Sequence, residues 1–95
     1  MSWPTVAEFK VIVDLDPNAT TFDTMLEVQL NAGIALVKDQ TGAWDEDVDE
    51  PDDNLSGAAL RAAFLLSLKE SPASIVMDQV FMTFMLGRRR GFSIA

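Results

Sequence analysis

From Leu55 to Leu68 the chain offers almost no polar face. Leu55, Ala58, Ala59, Leu60, Ala62, Ala63, Phe64, Leu65, Leu66 and Leu68 surround any helix built there. A helix that is apolar on every side has to be the buried one, so the other segments must fold around it. The 95 residues leave room for one domain and one such centre. Asp53 or Asn54 can cap its start, and Ser71-Pro72 breaks it just after Lys69.

The flanking segments also read as helices. Thr5 to Val13 opens with Thr5 and Glu8 at capping-box spacing, and Val6, Phe9 and Val13 share a face. The β-branched run Val11-Ile12-Val13 leaves an extended reading of Phe9 to Leu15 open. Asp16-Pro17-Asn18 marks a turn. Thr20 to Gln40 is the longest periodic segment, with Phe22, Leu26, Leu30, Ile34 and Val37 in register, a box-like start at Thr20 and Asp23, and Gly42 as its stop. Gly33 inside it costs roughly 1 kcal/mol relative to Ala, a cost that suits a close approach of two helices. Ser74 to Leu86 reads as a fourth helix ended by Gly87. The expected class is all-α: a small bundle of about four helices, with a long acidic loop at 43–53 inside a helical domain 1–87 and an extended C-terminal arm at 88–95. The last two helices carry more apolar surface than three partners cover. Met77, Phe81, Met82, Phe84 and Met85 are the expected surplus, hence a candidate subunit interface.

Charge is distributed unevenly along the chain. The net charge is −8. Residues 1–42 carry −4, residues 43–53 carry −7, residues 54–87 balance, and residues 88–95 carry +3. An acidic balance argues against a free-standing nucleic-acid binder, while 48% hydrophobic residues are too many for a disordered acidic tail. The chain has no cysteine and no histidine, which removes disulfides, thiolate metal sites and the commonest general base near neutral pH. Its serines have no histidine to activate them and no phosphate-cradling glycine loop is present. No enzymatic activity, cofactor or metal is expected.

Two segments stand out as candidate contact sites. Asp45, Asp47 and Asp49 have the spacing that opens an EF-hand loop, but Glu50 stands at position six and Ser56 at position twelve, where Gly and Glu are required. The run Asp45, Glu46, Asp47, Asp49, Glu50, Asp52 and Asp53 therefore reads as a solvated loop held open by self-repulsion, or as a surface that must not adhere to polyanions. Arg88, Arg89 and Arg90 either complement a helix dipole or meet the carboxylates or phosphates of a partner. Phe92 and Ile94 alternate with small residues, as in a short extended arm that fills a pocket or joins a sheet edge. Met1-Ser2-Trp3-Pro4 has no signal-peptide character, and the apolar runs Ala62–Leu66 and Val80–Leu86 are too short to span a bilayer. A reducing cytoplasm and no membrane association are expected.

Taken in order, these segments resemble the head–tail connector, or adaptor, proteins of long-tailed phages, over nearly the full length. Pro4-Thr5-Val6-Ala7-Glu8-Phe9-Lys10 looks like that family's first short helix. Asn31-Ala32-Gly33-Ile34-Ala35-Leu36-Val37-Lys38-Asp39-Gln40-Thr41-Gly42 is similar to its segment before a variable loop. Leu60 to Leu66 is similar to its apolar third helix, and Gln79-Val80-Phe81 to Arg88-Arg89-Arg90 to its closing helix. Gly87 and Arg88 stand where the family often has a proline and an aromatic. The resemblance implies a structural virion protein at the head–tail junction, made in the bacterial host cytoplasm. It would be a homo-oligomeric ring of about twelve subunits, lying beneath the portal protein and meeting a downstream connector, stopper or tail protein. The ring would extend the channel for DNA packaging, with DNA passing through the lumen unbound. The arm from Arg88 becomes a candidate portal contact and the acidic loop a candidate lumen lining. The alternative is a small acidic helical binding module: a DNA mimic or regulatory partner that occupies a basic protein's groove.

Overall fold

A computed structural model describes residues 2–13, 15–16, 18–42 and 44–87. The all-α class holds, with five helices among the described residues: α1 (Val6–Ile12), α2 (Asp23–Thr41), α3 (Asp53–Ser67), α4 (Pro72–Val76) and α5 (Gln79–Phe84). The expected arm at 88–95, with Arg88, Arg89, Arg90, Phe92 and Ile94, lies outside the described residues.

The apolar segment is the centre, as its composition requires. Ala58, Ala59, Ala62 and Ala63 of α3 are fully buried, and α3 packs on each of the other helices. α2 lies antiparallel to it, since Val37 shares a cluster with Leu55 and Leu30 one with Ala63. Gly33 marks the closest approach. A Cβ there would stand 2.7 Å from the Ala59 carbonyl oxygen and 2.9 Å from the Ala63 nitrogen. The buried positions of α2, Leu26, Leu30, Gly33 and Val37, repeat at three- and four-residue intervals. α1 seats Phe9 against Leu26, Leu30 and Ala63. Thr5 caps α1 in the expected capping box: its hydroxyl accepts from the Glu8 N–H, and the Glu8 carboxylate accepts from the Thr5 N–H.

Several boundaries depart from the sequence expectation, each through a contact distant in the chain. α2 starts at Asp23 without a side-chain cap, because Phe22 stands at the cap position and has no acceptor to offer, while the Asp23 carboxylate is engaged by Lys10. The buried Lys10 ammonium donates to the Ala19 carbonyl and pairs with Asp23, both at 2.6 Å. α3 starts at Asp53, with Asp52 as cap through its bond from the Leu55 N–H at 2.9 Å. Asp52 and Asp53 therefore belong to a helix start, where negative charge complements the dipole, rather than to the loop. α3 ends at Ser67 and not Lys69: Lys69 takes a positive φ of 66° and the Glu70 N–H returns to the Leu65 carbonyl, a left-handed closure. The expected single helix from Ser74 to Leu86 is two. Ser71 caps α4 with Pro72 in its first turn, and Asp78, in an extended conformation, caps α5. The count is thus five rather than about four.

The Cα extents of 46 × 29 × 17 Å describe a flat slab. Its thinnest dimension corresponds to two helix layers at interaxial distances of 8–10 Å. Two layers leave both flanks of α3 partly open, which is where the surfaces of interest lie.

Candidate functional site

The acidic run is ordered by its own backbone. The Asp49 N–H donates to the Asp45 carbonyl at 2.7 Å, the Asp45 N–H to the Asp49 carboxylate at 2.8 Å, and the Asp47 N–H to the Asp45 carboxylate at 2.9 Å. Asp45, Glu46, Asp47, Asp49 and Glu50 remain exposed, while Trp44 and Pro51 at the two ends are drawn inward. The expected open, self-repelling loop is therefore a pinned turn with its charges facing solvent. The carboxylates of Asp45 and Asp49 serve the turn. Among the described residues no group of three or more His, Cys, Asp or Glu could hold a metal ion.

The pin is an aromatic clasp that the sequence reading did not single out. Trp3 and Trp44 meet with ring centroids 5.2 Å apart at an interplanar angle of 50°. The Lys38 ammonium sits 5.6 Å from the Trp3 ring centroid and pairs with Glu46 at 2.6 Å. That hydrogen bond from Lys38 holds the Glu46 carboxyl below the usual carboxylate range. No local periodicity could announce a contact between residues so far apart in the chain.

Arg61 and Asp78 form the joint between α3 and α5. Arg61 Nε and Nη2 donate to the two Asp78 carboxylate oxygens at 2.9 and 3.0 Å, and the Phe81 N–H donates to Asp78 at 3.0 Å. The Arg61 guanidinium, foremost among these contacts, holds the Asp78 carboxyl below its ordinary value. Both side chains are mostly shielded and joined by a bidentate charged pair, which is the signature of a structural fixture rather than a reactive group.

The candidate interface residues separate. Phe81 and Met85 are fully buried in the chain's own core. The surplus expected there is absorbed by α3, so these two are unavailable to another subunit in this fold. Met82 and Phe84 are half-buried and Met77 is exposed. The apolar surface left over lies elsewhere, around two grooves. One, of about 520 Å³, opens between the end of α1, the start of α2 and the end of α3, with Val13, Leu15, Phe22, Met25, Leu26 and Leu66 in its walls. The amide oxygen of Gln29, also in this wall, is buried and accepts no hydrogen bond among the described residues. The other, of about 410 Å³, lies between α1, α3 and α5 and is lined by Ile12, Leu60, Phe64, Val80 and Phe84 with Gly57 and Arg61. Phe22 and Met25 are each 51% exposed and Val80 is 44% exposed.

No family model, curated protein or solved structure matches the chain. The functional reading therefore rests on these surfaces. No helix among the described residues is long and apolar enough to cross a membrane.

Proposed function

We propose that the protein is a non-enzymatic assembly component of the head–tail connector kind, a subunit of a ring that lies beneath a phage portal and prolongs its DNA channel. The observation that carries this reading is the pair of unlike apolar grooves on one small protomer. Apolar surface that folding leaves uncovered is ordinarily covered by association. Two different patches favour head-to-tail contacts, which close into a ring when the rotation permits. Of the candidate interface residues, Phe84 lines the second groove and Met77 is exposed. Asp45, Glu46, Asp47, Asp49 and Glu50, exposed on a pinned turn, suit a wall past which a polyanion slides without adhering. Arg88, Arg89 and Arg90, followed by Phe92 and Ile94, supply a segment of opposite charge for holding a protein partner. Portal above and a stopper or tail protein below are the neighbours that such a ring meets, in a virion assembled in the bacterial cytoplasm.

Native mass spectrometry of the chain, alone and mixed with a portal protein from the same genome, tests the reading. Closed oligomers or a portal-bound ring are expected. A chain that stays monomeric in both samples sinks it, and a stable one-to-one complex with a basic protein would favour the acidic binding module instead.

A further inference from the structure

We propose that the groove between α1, α2 and α3 is the socket for residues 91–95 of a second copy of the chain. The proposal rests on the ring reading and names the contact that would build the ring.

The first argument is topological. α5 runs antiparallel to α3: Asp78, before its start, pairs with Arg61, and Phe84, at its end, lies over Gly57. Gly87 therefore stands near the amino-terminal end of α3, and residues 88–95 depart from there. The groove is walled by Leu66 and Ser67, at the other end of α3. At 1.5 Å per residue, Gly57 and Leu66 are separated by about 14 Å along the axis. A segment leaving one end of the protomer and a groove opening at the other make a head-to-tail joint.

The second argument is chemical. In an extended Gly91-Phe92-Ser93-Ile94-Ala95, Phe92 and Ile94 fall on one side. They match a groove walled by Phe22, Met25, Leu26 and Leu66. The buried Gln29 oxygen needs a donor, and the backbone N–H groups of an extended segment supply one. Charge agrees as well. Residues 13–29, which furnish most of the wall, include Asp14, Asp16, Asp23 and Glu27 and no Lys or Arg. Asp23 is taken by Lys10 and Lys69 stands on the α3 side, and the stretch still keeps a net charge opposite to that of Arg88, Arg89 and Arg90.

The test uses the full chain in two disabled forms. Phe92→Asp with Ile94→Asp removes the plug, and Met25→Asp spoils the socket at a half-exposed position. A fluorescein-labelled peptide of residues 88–95 should bind the plug-disabled chain saturably by anisotropy. Adding Met25→Asp should weaken it at least tenfold, and adding Gln29→Leu several-fold, with the melting temperature unchanged or raised. Mixing the plug-disabled chain with the socket-disabled chain should give one heterodimer by native mass spectrometry, while neither assembles alone. Absent peptide binding, or binding indifferent to both groove substitutions, overturns the proposal. A monomeric full chain that refuses the peptide, beside a plug-disabled chain that takes it, places the segment in its own groove and overturns the second-copy assignment. Closed rings that form despite both disabling changes sink this contact and leave the ring reading standing. Dimers or open-ended chains with the expected variant pattern do the reverse.

Discussion

At Gly33 an added methyl group would strike the backbone of α3, at 2.7 and 2.9 Å from main-chain atoms. At Gly57 it would strike the ring edge of Phe84 instead, 2.6 Å away. Both are glycines inside helices, and an alanine at either gains about 1 kcal/mol of helix propensity. The obstacle decides the sign. Backbone in the middle of a helix cannot yield, so Gly33→Ala should destabilise by about 1–3 kcal/mol, the range for overpacking, or force α2 and α3 apart. A half-buried Phe ring can turn aside, so Gly57→Ala should stay within about 1 kcal/mol of the parent chain. Urea unfolding of the two variants side by side measures the difference. Equal effects would mean that the α2–α3 contact is looser than this geometry.

At the scale of elements, α5 depends on one carboxylate. Asp78 is both its cap and the anchor that Arg61 grips. Asp78→Ala should cost about 1–3 kcal/mol, a lost cap plus a lost charged hydrogen bond. The same group sets an acid dependence. Its folded pKa lies below the unfolded carboxylate value of about 3.9. Its contribution is therefore fully present above that value and disappears as pH falls through the lower, folded one. Thermal melts between pH 7 and pH 2 should show Asp78→Asn losing less stability on acidification than the parent. Parallel curves would remove Asp78 from the acid response. The Asp78 joint also shows where sequence reading stops. The centre on α3, the capping box at Thr5 and the left-handed stop at Gly42 are written in local spacing, and the structure has all three, whereas Gly33 only permitted a close approach that the packed α3 backbone supplies. The break before α5 is not, because Asp78 leaves the helix to meet Arg61, seventeen positions earlier. The Lys10 pair with Asp23 and the clasp of Trp3 and Trp44 are likewise contacts between segments distant in the chain. Of the candidate sites, the acidic run was visible as composition. The grooves were not, since they exist only between packed helices.

For the whole molecule, the slab buries its centre but leaves apolar grooves open on the flanks of α3, and its charge is divided between an acidic fold and a basic segment. A chain with exposed acids across its longest connection should not grip DNA. Anisotropy titrations with labelled duplex DNA at physiological salt should show no binding up to tens of micromolar protein, since non-specific binders reach Kd values of about 10⁻⁴–10⁻⁶ M by neutralising phosphates. Micromolar affinity would contradict a channel role for the acidic turn.

The chain's two tryptophans are the same two that form the clasp. All indole emission therefore originates from one spot, at the carboxyl-terminal end of α2 beside Lys38. Met25 in the proposed socket lies about 20 Å farther along that helix, at 1.5 Å per residue. Intrinsic fluorescence will thus follow the seating of the acidic turn and be nearly blind to events in the socket. A red shift that precedes loss of helical circular dichroism would report the turn coming loose, while docking of one subunit on another would be optically silent.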